Sequence, residues 1–311
     1  MMLSLTKPVS ESMKGREISP AMRTVLGQVF INMPWRYMGR YIDLVLENGM
    51  NIEIGFGADD LESSSAGAVC SAIGRMREKG IRITFHGPFW DLCSGSIDPE
   101  IRKVTLSRLS SLFDLVEKIR PEQVVCHTGF DPRHHQGHRQ AWIENSLSTW
   151  APFVQRAEIL GTPLVLENVW EHDPELHLEL LEGIKSPWFG FCLDVGHQHS
   201  FSRTTLDKWL HATWPYLKEV HLHDNDGSLD THFPVGSGTI DFDYLFYFLG
   251  EKKISPVLTM ESHTVEHVYE TLAGLAAMAS FNEFVNSRTS GPGRKGGAHG
   301  NRGAEHCSNR Y

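Results

Sequence analysis

Histidines and carboxylates in this chain recur at one kind of position, the end of a short apolar run. His86 closes ITFH, His127 closes VVCH, Glu167 closes LVLE and Asp194 closes FGFCLD, with His197 just behind it. HLHD then supplies His221, His223 and Asp224, the following DTH supplies Asp230 and His232, and TME ends in Glu261. Neutral imidazoles and carboxylates are ligands of zinc, manganese and related divalent ions. Burying so many ionisable groups together without a cation would cost several kcal/mol for each unpaired charge. The residue types therefore point to a divalent-metal centre. A structural or binding protein would have no evident reason to gather these side chains.

Not every candidate carries equal weight. His221 and His223 stand two residues apart, so a strand turns both to the same face; His221 is expected to be the ligand and His223 to stand behind it. Glu53, near the end of NIEIG, is expected to support the site from behind or to be structural. His134, His135 and His138 lie in the polar stretch DPRHHQGHRQ and read as a solvated loop. His199 and His263 follow ligand-bearing segments and read as caps. The GxG of VGSG, Gly236 and Gly238, reads as a tight turn rather than a phosphate loop, because such a pair alone is weak evidence.

The elements that must position these residues alternate. Eight apolar runs begin near residues 28, 50, 81, 123, 164, 189, 219 and 257. Between them lie amphipathic stretches: Leu109, Leu112, Phe113 and Val116 follow a helical period, as do Ile143, Leu147, Trp150, Ala151 and Val154. Strands separated by helices imply parallel pairing, and eight such units imply a closed (β/α)8 TIM barrel, whose functional residues lie at the C-terminal ends of the strands.

Composition sets the remaining bounds. The chain has 311 residues, 41% hydrophobic and 22% charged, as suits one large α/β domain. Residues 1–20 read as an irregular leader, 21–285 as a single barrel domain and 286–311, rich in Gly, Ser, Asn and Arg, as a disordered basic tail. The net charge is −9, and the tail carries five basic side chains against Glu305, so residues 1–285 hold about −13. An acidic body disfavours non-specific binding to nucleic acid. No apolar run nears the roughly 18–20 residues of a membrane helix, and the N-terminus lacks a signal-peptide core; a cytoplasmic protein is expected. Five scattered cysteines, none in a CxxC pair, read as small buried residues rather than a disulfide framework.

The segments HGPF, VVCHTGF, LVLENV, CLDVGH, HLHDND, DTHFPVGSG and TMES, in that order, resemble the endonuclease IV and xylose-isomerase-like TIM-barrel superfamily (AP endonuclease family 2) from about residue 28 to 265. Endonuclease IV holds three zinc ions with nine protein ligands, and the resemblance implies the same set here. It implies His86 and His127 on the first ion, and Glu167 as the bridging carboxylate. It implies Asp194, His221 and Glu261 on the second ion, and His197, Asp230 and His232 on the third. Single-metal sugar isomerases and epimerases are similar too, and would use only Glu167, Asp194, His221 and Glu261. In that chemistry Glu167 and Glu261 would shuttle a proton. The extra ligands favour phosphodiester hydrolysis, in which cations generate a nucleophile at neutral pH and neutralise phosphoryl oxygens.

Phe89 and Trp90 match the residues that wedge into DNA in endonuclease IV. The longer phrasing HGPFWDL, HTGF, ENVWE, CLDVGH and HLHDN resembles a different branch, the cobamide-remodelling phosphodiesterases, which cleave the nucleotide-loop phosphodiester of corrinoids. That resemblance implies a small-molecule corrinoid substrate, with DNA as the second candidate and no membrane partner. A broad ring needs an apolar barrel mouth, and Phe89, Trp90, Trp35, Tyr37 and Trp170 are the candidates to line it.

Overall fold

The computed structural model describes residues 17–289. Eight strands pair in parallel in chain order and close into a barrel. They are β1 (Phe30–Pro34), β2 (Asn51–Gly55), β3 (Ile83–His86), β4 (Val124–His127), β5 (Leu164–Glu167), β6 (Phe189–Asp194), β7 (Leu217–Leu222) and β8 (Val257–Met260). Each expected apolar run coincides with one strand, and helices lie between successive strands.

Strand alternation sorts the side chains. Leu164, Leu166, Phe191, Leu193, Val220, Leu222, Leu258 and Met260 join the large core between barrel and helices. Val125, Val165 and Cys192 form a separate small cluster in the barrel interior. The rest of the interior is polar: Glu53, Thr84, Glu167, Asp194, Glu219, His221 and Thr259 are all buried. Register sets their heights, with His127 opposite Glu167 and Asp194 opposite His221.

The helix Pro99–Ile119 starts where Asp98 accepts a hydrogen bond from the Glu100 amide and Pro99 supplies a preset φ. It buries Leu109, Leu112, Phe113 and Val116, the periodic residues of the sequence. In helix Arg139–Leu160 the buried stripe runs through Trp142, Ile143, Trp150, Phe153 and Val154. Ala151, expected on that face, is exposed. Each such large side chain contributes about 1.5–3 kcal/mol on full burial.

Both expected domain limits move outward. Helix Pro20–Leu26 is capped by Ser19, and Ile18 is already buried, so the fold takes in the end of the expected leader. At the other end helix Ala279–Thr289 runs past Val285. Phe281 and Phe284 there pack on Phe246, so the first residues assigned to the tail are helical. The remainder of the expected tail, with Cys307, lies outside the described residues. Cys93, Cys126 and Cys192 are buried as expected and Cys70 is partly so, all as free thiols. Among the described residues no helix is long and apolar enough to cross a membrane.

Candidate metal centre

Glu167, at the end of β5 and fully buried, is the hub. Its Oε2 lies 3.0 Å from Nε2 of His86 and 3.1 Å from Nε2 of His127. Its other oxygen, Oε1, lies 3.2 Å from Nδ1 of His197 and 3.5 Å from Nδ1 of His221. The same His221 nitrogen stands 3.2 Å from Oε1 of Glu261 and 3.8 Å from Oδ2 of Asp194. A third meeting point forms beyond: Oδ2 of Asp230 is 3.4 Å from Nε2 of His197 and 3.0 Å from Nε2 of His232. All nine ligands that the resemblance implies thus converge, in three groups joined through Glu167 and His197.

The local backbone explains why. Asp194 ends β6 and caps helix Val195–Phe201, accepting the amide of His197 at 2.6 Å, which fixes His197 one turn away on the inner side. His86, His197 and His232 each place Nδ1 against a backbone carbonyl: Gly87 at 2.9 Å, Asn168 at 3.0 Å and Glu261 at 3.1 Å. A carbonyl can only accept, so Nδ1 carries a proton and Nε2 is the nitrogen turned towards the carboxylates, the arrangement that orients metal-binding imidazoles.

The electrostatics favour positive charge among these carboxylates. Burial disfavours charge on His86, yet Glu167 prevails and lifts its pKa to about 9. His197 and His221 are raised well above the ordinary histidine value, burial being overcome at His197 by Asp194, Asp230 and Glu167 and at His221 by Cys192 and then the surrounding carboxylates. Burial opposes ionisation of Glu167, but His127 and His221 hold its carboxyl well below the usual range. Several buried atoms still lack any hydrogen-bond partner: Oε1 of Glu167, both ring nitrogens of His221, Nδ1 of His223 and Oδ1 of Asp230. Native interiors rarely leave such atoms unmet. Unpartnered imidazole nitrogens and carboxylate oxygens that converge fit divalent metal ions.

His223 donates from Nε2 to both oxygens of Asp194 at 3.0 Å. Its ring lies flat on His232, with centroids 3.8 Å apart and planes 7° apart. His223 thus holds Asp194, while its Nδ1 stands 3.6 Å from Oδ1 of Asp230, within the group formed with His197 and His232. Glu53 lies behind His221, 3.5 Å from Nε2, and accepts from Asn32 at 2.9 Å. Phe89 stacks on the ring of His127 at 4.5 Å and meets His86 edge-on. It is 39% exposed, Trp90 59% and Trp170 38%, so these three remain open to a ligand at the mouth. Trp170 packs on Phe201 and carries the Arg133 guanidinium over its ring.

Trp35 and Tyr37 are not brought to the ligand groups by any described contact. Trp35 opens helix Trp35–Asn48, donates to Ser64 at 2.7 Å and stacks on Phe56. Tyr37 lies partly buried on the same helix, under Arg36. The loop histidines His134 and His138 are exposed as expected, while His135 is partly buried and accepts from the Asp131 amide. His199 bonds Thr239, and His263 stacks on His232 at 3.9 Å.

Three contributors escaped the sequence reading. Glu219 sits two residues before His221, and the alternation that turns His221 inward turns Glu219 inward as well; the spacing alone could have found it. Asn168 clamps the ends of β5 and β6, its side chain donating to the Asp194 carbonyl and accepting the Asp194 amide, both at 2.9 Å. Gly196 leaves room for a neighbour, since a Cβ there would stand 1.9 Å from the His223 ring. The GxG turn also has a specific tenant. Asp224 accepts from the amides of Gly236 at 3.0 Å, Gly238 at 2.8 Å and Ile240 at 3.2 Å.

Similarity to known proteins follows the fold. An uncharacterised protein of Methanocaldococcus jannaschii is 27% identical over 216 residues, covering 67% of this chain and 72% of that protein. A D-tagatose 3-epimerase-like protein superposes with a TM-score of 0.67 at 21% identity, over 84% of this chain and 98% of that one. A Thermus thermophilus protein, its crystal soaked with ZnCl2, gives a TM-score of 0.67 at 26% identity, over 83% and 98%. An L-ribulose 3-epimerase gives 0.66 at 15% identity, over 86% and 99%. The profile of the xylose isomerase-like TIM barrel (AP endonuclease 2) family matches residues 43–280, which takes in all nine converging side chains, and the chain belongs to that family.

Proposed function

We propose that this protein is a metal-dependent hydrolase of phosphodiesters that holds up to three divalent ions, zinc by ligand type with manganese as the alternative. One observation carries the proposal. One-ion chemistry needs Glu167, Asp194, His221 and Glu261, yet His86, His127, His197, Asp230 and His232 extend that set into two further meeting points. Ions held there supply positive charge opposite phosphoryl oxygens and make water nucleophilic at neutral pH. Glu167 spans two of the groups with its two oxygens, which fixes their spacing. An ion held by Asp230 and His232 would be available to stabilise a departing oxygen. The buried walls keep these charges away from bulk water, which strengthens each interaction.

The substrate we propose is the nucleotide-loop phosphodiester of a cobamide, cleaved to a nucleoside and a phosphorylated corrinoid without its lower base. The exposed faces of Phe89, Trp90 and Trp170 beside the ligand groups support a broad, flat ring there. The acidic body disfavours DNA. The test is to incubate metal-loaded protein separately with adenosylated cobamide and with a duplex containing one abasic site. Corrinoid cleavage with an intact duplex supports the proposal, and nicking of the duplex with an untouched corrinoid replaces it with DNA repair.

A sugar epimerase is the second reading, favoured by the epimerases among the structural neighbours and by the approach of Glu167 and Glu261 to one His221 nitrogen, at 3.5 and 3.2 Å. Metal content separates the two: two or three equivalents support hydrolysis, and one supports the epimerase.

A further inference from the structure

Directly beneath the ligand groups lie two more carboxylates, Glu53 on β2 and Glu219 on β7, each with no exposed surface. Oε1 of Glu53 is 3.5 Å and Oε1 of Glu219 is 3.6 Å from Nε2 of His221. Neutral donors pin both: Asn32 on Glu53 at 2.9 Å, and Gln123 and Thr259 on Glu219, each at 2.5 Å. Among the described residues no lysine or arginine pairs with either. The second Glu53 oxygen and Nε2 of His221 have no hydrogen-bond partner. The apolar residues nearest this layer are Cys192, paired in register with Glu219, and the Val125 and Val165 that pack with it. A buried carboxylate pair placed only under His221 is expensive unless it answers a charge.

We propose that Glu53 and Glu219 are positioning residues of the metal centre, holding the Nε2–H of His221 so that Nδ1 is its ligand atom and countering the charge of the ions above. This rests on the multinuclear reading but not on the identity of the substrate. Imidazole ligands characteristically give their second nitrogen to a carboxylate; here two carboxylates converge on one. When ionised, they also add to Glu167, Asp194, Asp230 and Glu261 in the charge balance against the ions above.

The experiment compares full-length wild type with Glu53→Gln, Glu219→Gln, the double variant and His221→Ala. Zinc equivalents are counted on purified protein, and affinity is measured by chelator competition. Long-range 1H–15N correlations of the histidine rings report which nitrogen of His221 is metal-bound. Melting of the metal-free proteins checks that each variant folds. The expected result is two to three equivalents in wild type, bound through Nδ1 of His221. Each single variant should lose about 10- to 100-fold in affinity, the double variant more, with its His221 nitrogens no longer distinguished. Glutamine variants that fold, bind zinc as tightly as wild type and keep the Nδ1 signature would overturn the inference while leaving the multinuclear reading intact. A wild type that holds at most one equivalent would overturn that reading and the charge balance with it. If both glutamine variants fail to fold, Glu53→Asp and Glu219→Asp decide: unchanged affinity in both would again overturn the proposal.

Discussion

The ligands around Glu167 and those around Asp230 reach one centre by different routes. His86, His127, Glu167, Asp194, His221 and Glu261 stand on strands or directly at their ends, where barrel register sets their spacing. Asp230 and His232 sit in a loop that is folded back by a single antiparallel bridge between Asp224 and Phe233. His232 itself adopts φ 50°, a left-handed conformation uncommon for a residue with a side chain. The first group is therefore rigid by construction, and the second depends on its own loop contacts. The strand-built groups form a platform set by the barrel, while the loop adds the third meeting point.

Replacing Glu167 with Ala tests the platform and should have the largest effect. Both oxygens of one side chain serve two groups, so metal should be lost from both and activity should fall by well over the about 100-fold that losing a supporting partner costs. Elemental analysis and turnover measure it together, and a Glu167→Ala protein with full metal and full turnover would contradict the hub. Asp230→Ala tests the loop. It should remove one equivalent of metal and slow diester hydrolysis by about 10²–10³-fold, the scale of losing one charge-stabilising contact. If metal content and rate are unchanged, the loop group is not part of the reaction and the one-ion epimerase gains.

A pH series sharpens the electrostatic side. The metal-free protein keeps His86 protonated up to about pH 9, because its pKa is raised by Glu167 against the effect of burial. Metal needs the neutral ring, so at neutral pH an ion must expel that proton. Zinc affinity should accordingly climb with pH and level off above about pH 9. Calorimetric titrations in two buffers of different ionisation heat should report proton release, and identical heats would refute it. The smallest effect is expected at the seam between the two groups. Gly196→Ala drives a methyl group into the His223 ring, which holds Asp194 on one side and stacks on His232 on the other. Overpacking of this kind costs about 1–3 kcal/mol, read as a lowered melting temperature with weakened metal binding at both groups.

The contrast also explains what the sequence could disclose. Strand-end ligands were legible because a parallel strand places its last inward residue at the mouth whatever surrounds it, and eight apolar runs locate eight such ends. Asp230 and His232 are legible only as ligand-type residues in the loop after β7, and their grouping with His197 came from the resemblance; no periodicity marks a loop residue, and the Asp224–Phe233 bridge that folds it is a tertiary fact. Glu219 was legible by alternation with His221 but lies one layer deeper, where a charged residue is not looked for. Trp35 does follow β1, but its indole N–H finds Ser64, a partner on another segment that local pattern cannot reveal. Ala151 fits a helical period and still faces water, because Phe153 fills the space against Phe113 and Trp150.

Asp224 leaves one more mark on the chemistry. Backbone amides gathered by a glycine turn are the usual seat for a phosphate in α/β proteins, and here that seat already holds the protein's own carboxylate. On the proposed hydrolase reading, a phosphoryl group would meet no free amide nest at this turn, and its negative charge would be answered by the ions instead. Recognition and reactivity are then the same interaction. Stripped of metal, the protein should lose its grip on inorganic phosphate as well as its turnover, and a competitive inhibitor should be sought among chelating oxyanions rather than among mimics that rely on backbone hydrogen bonds.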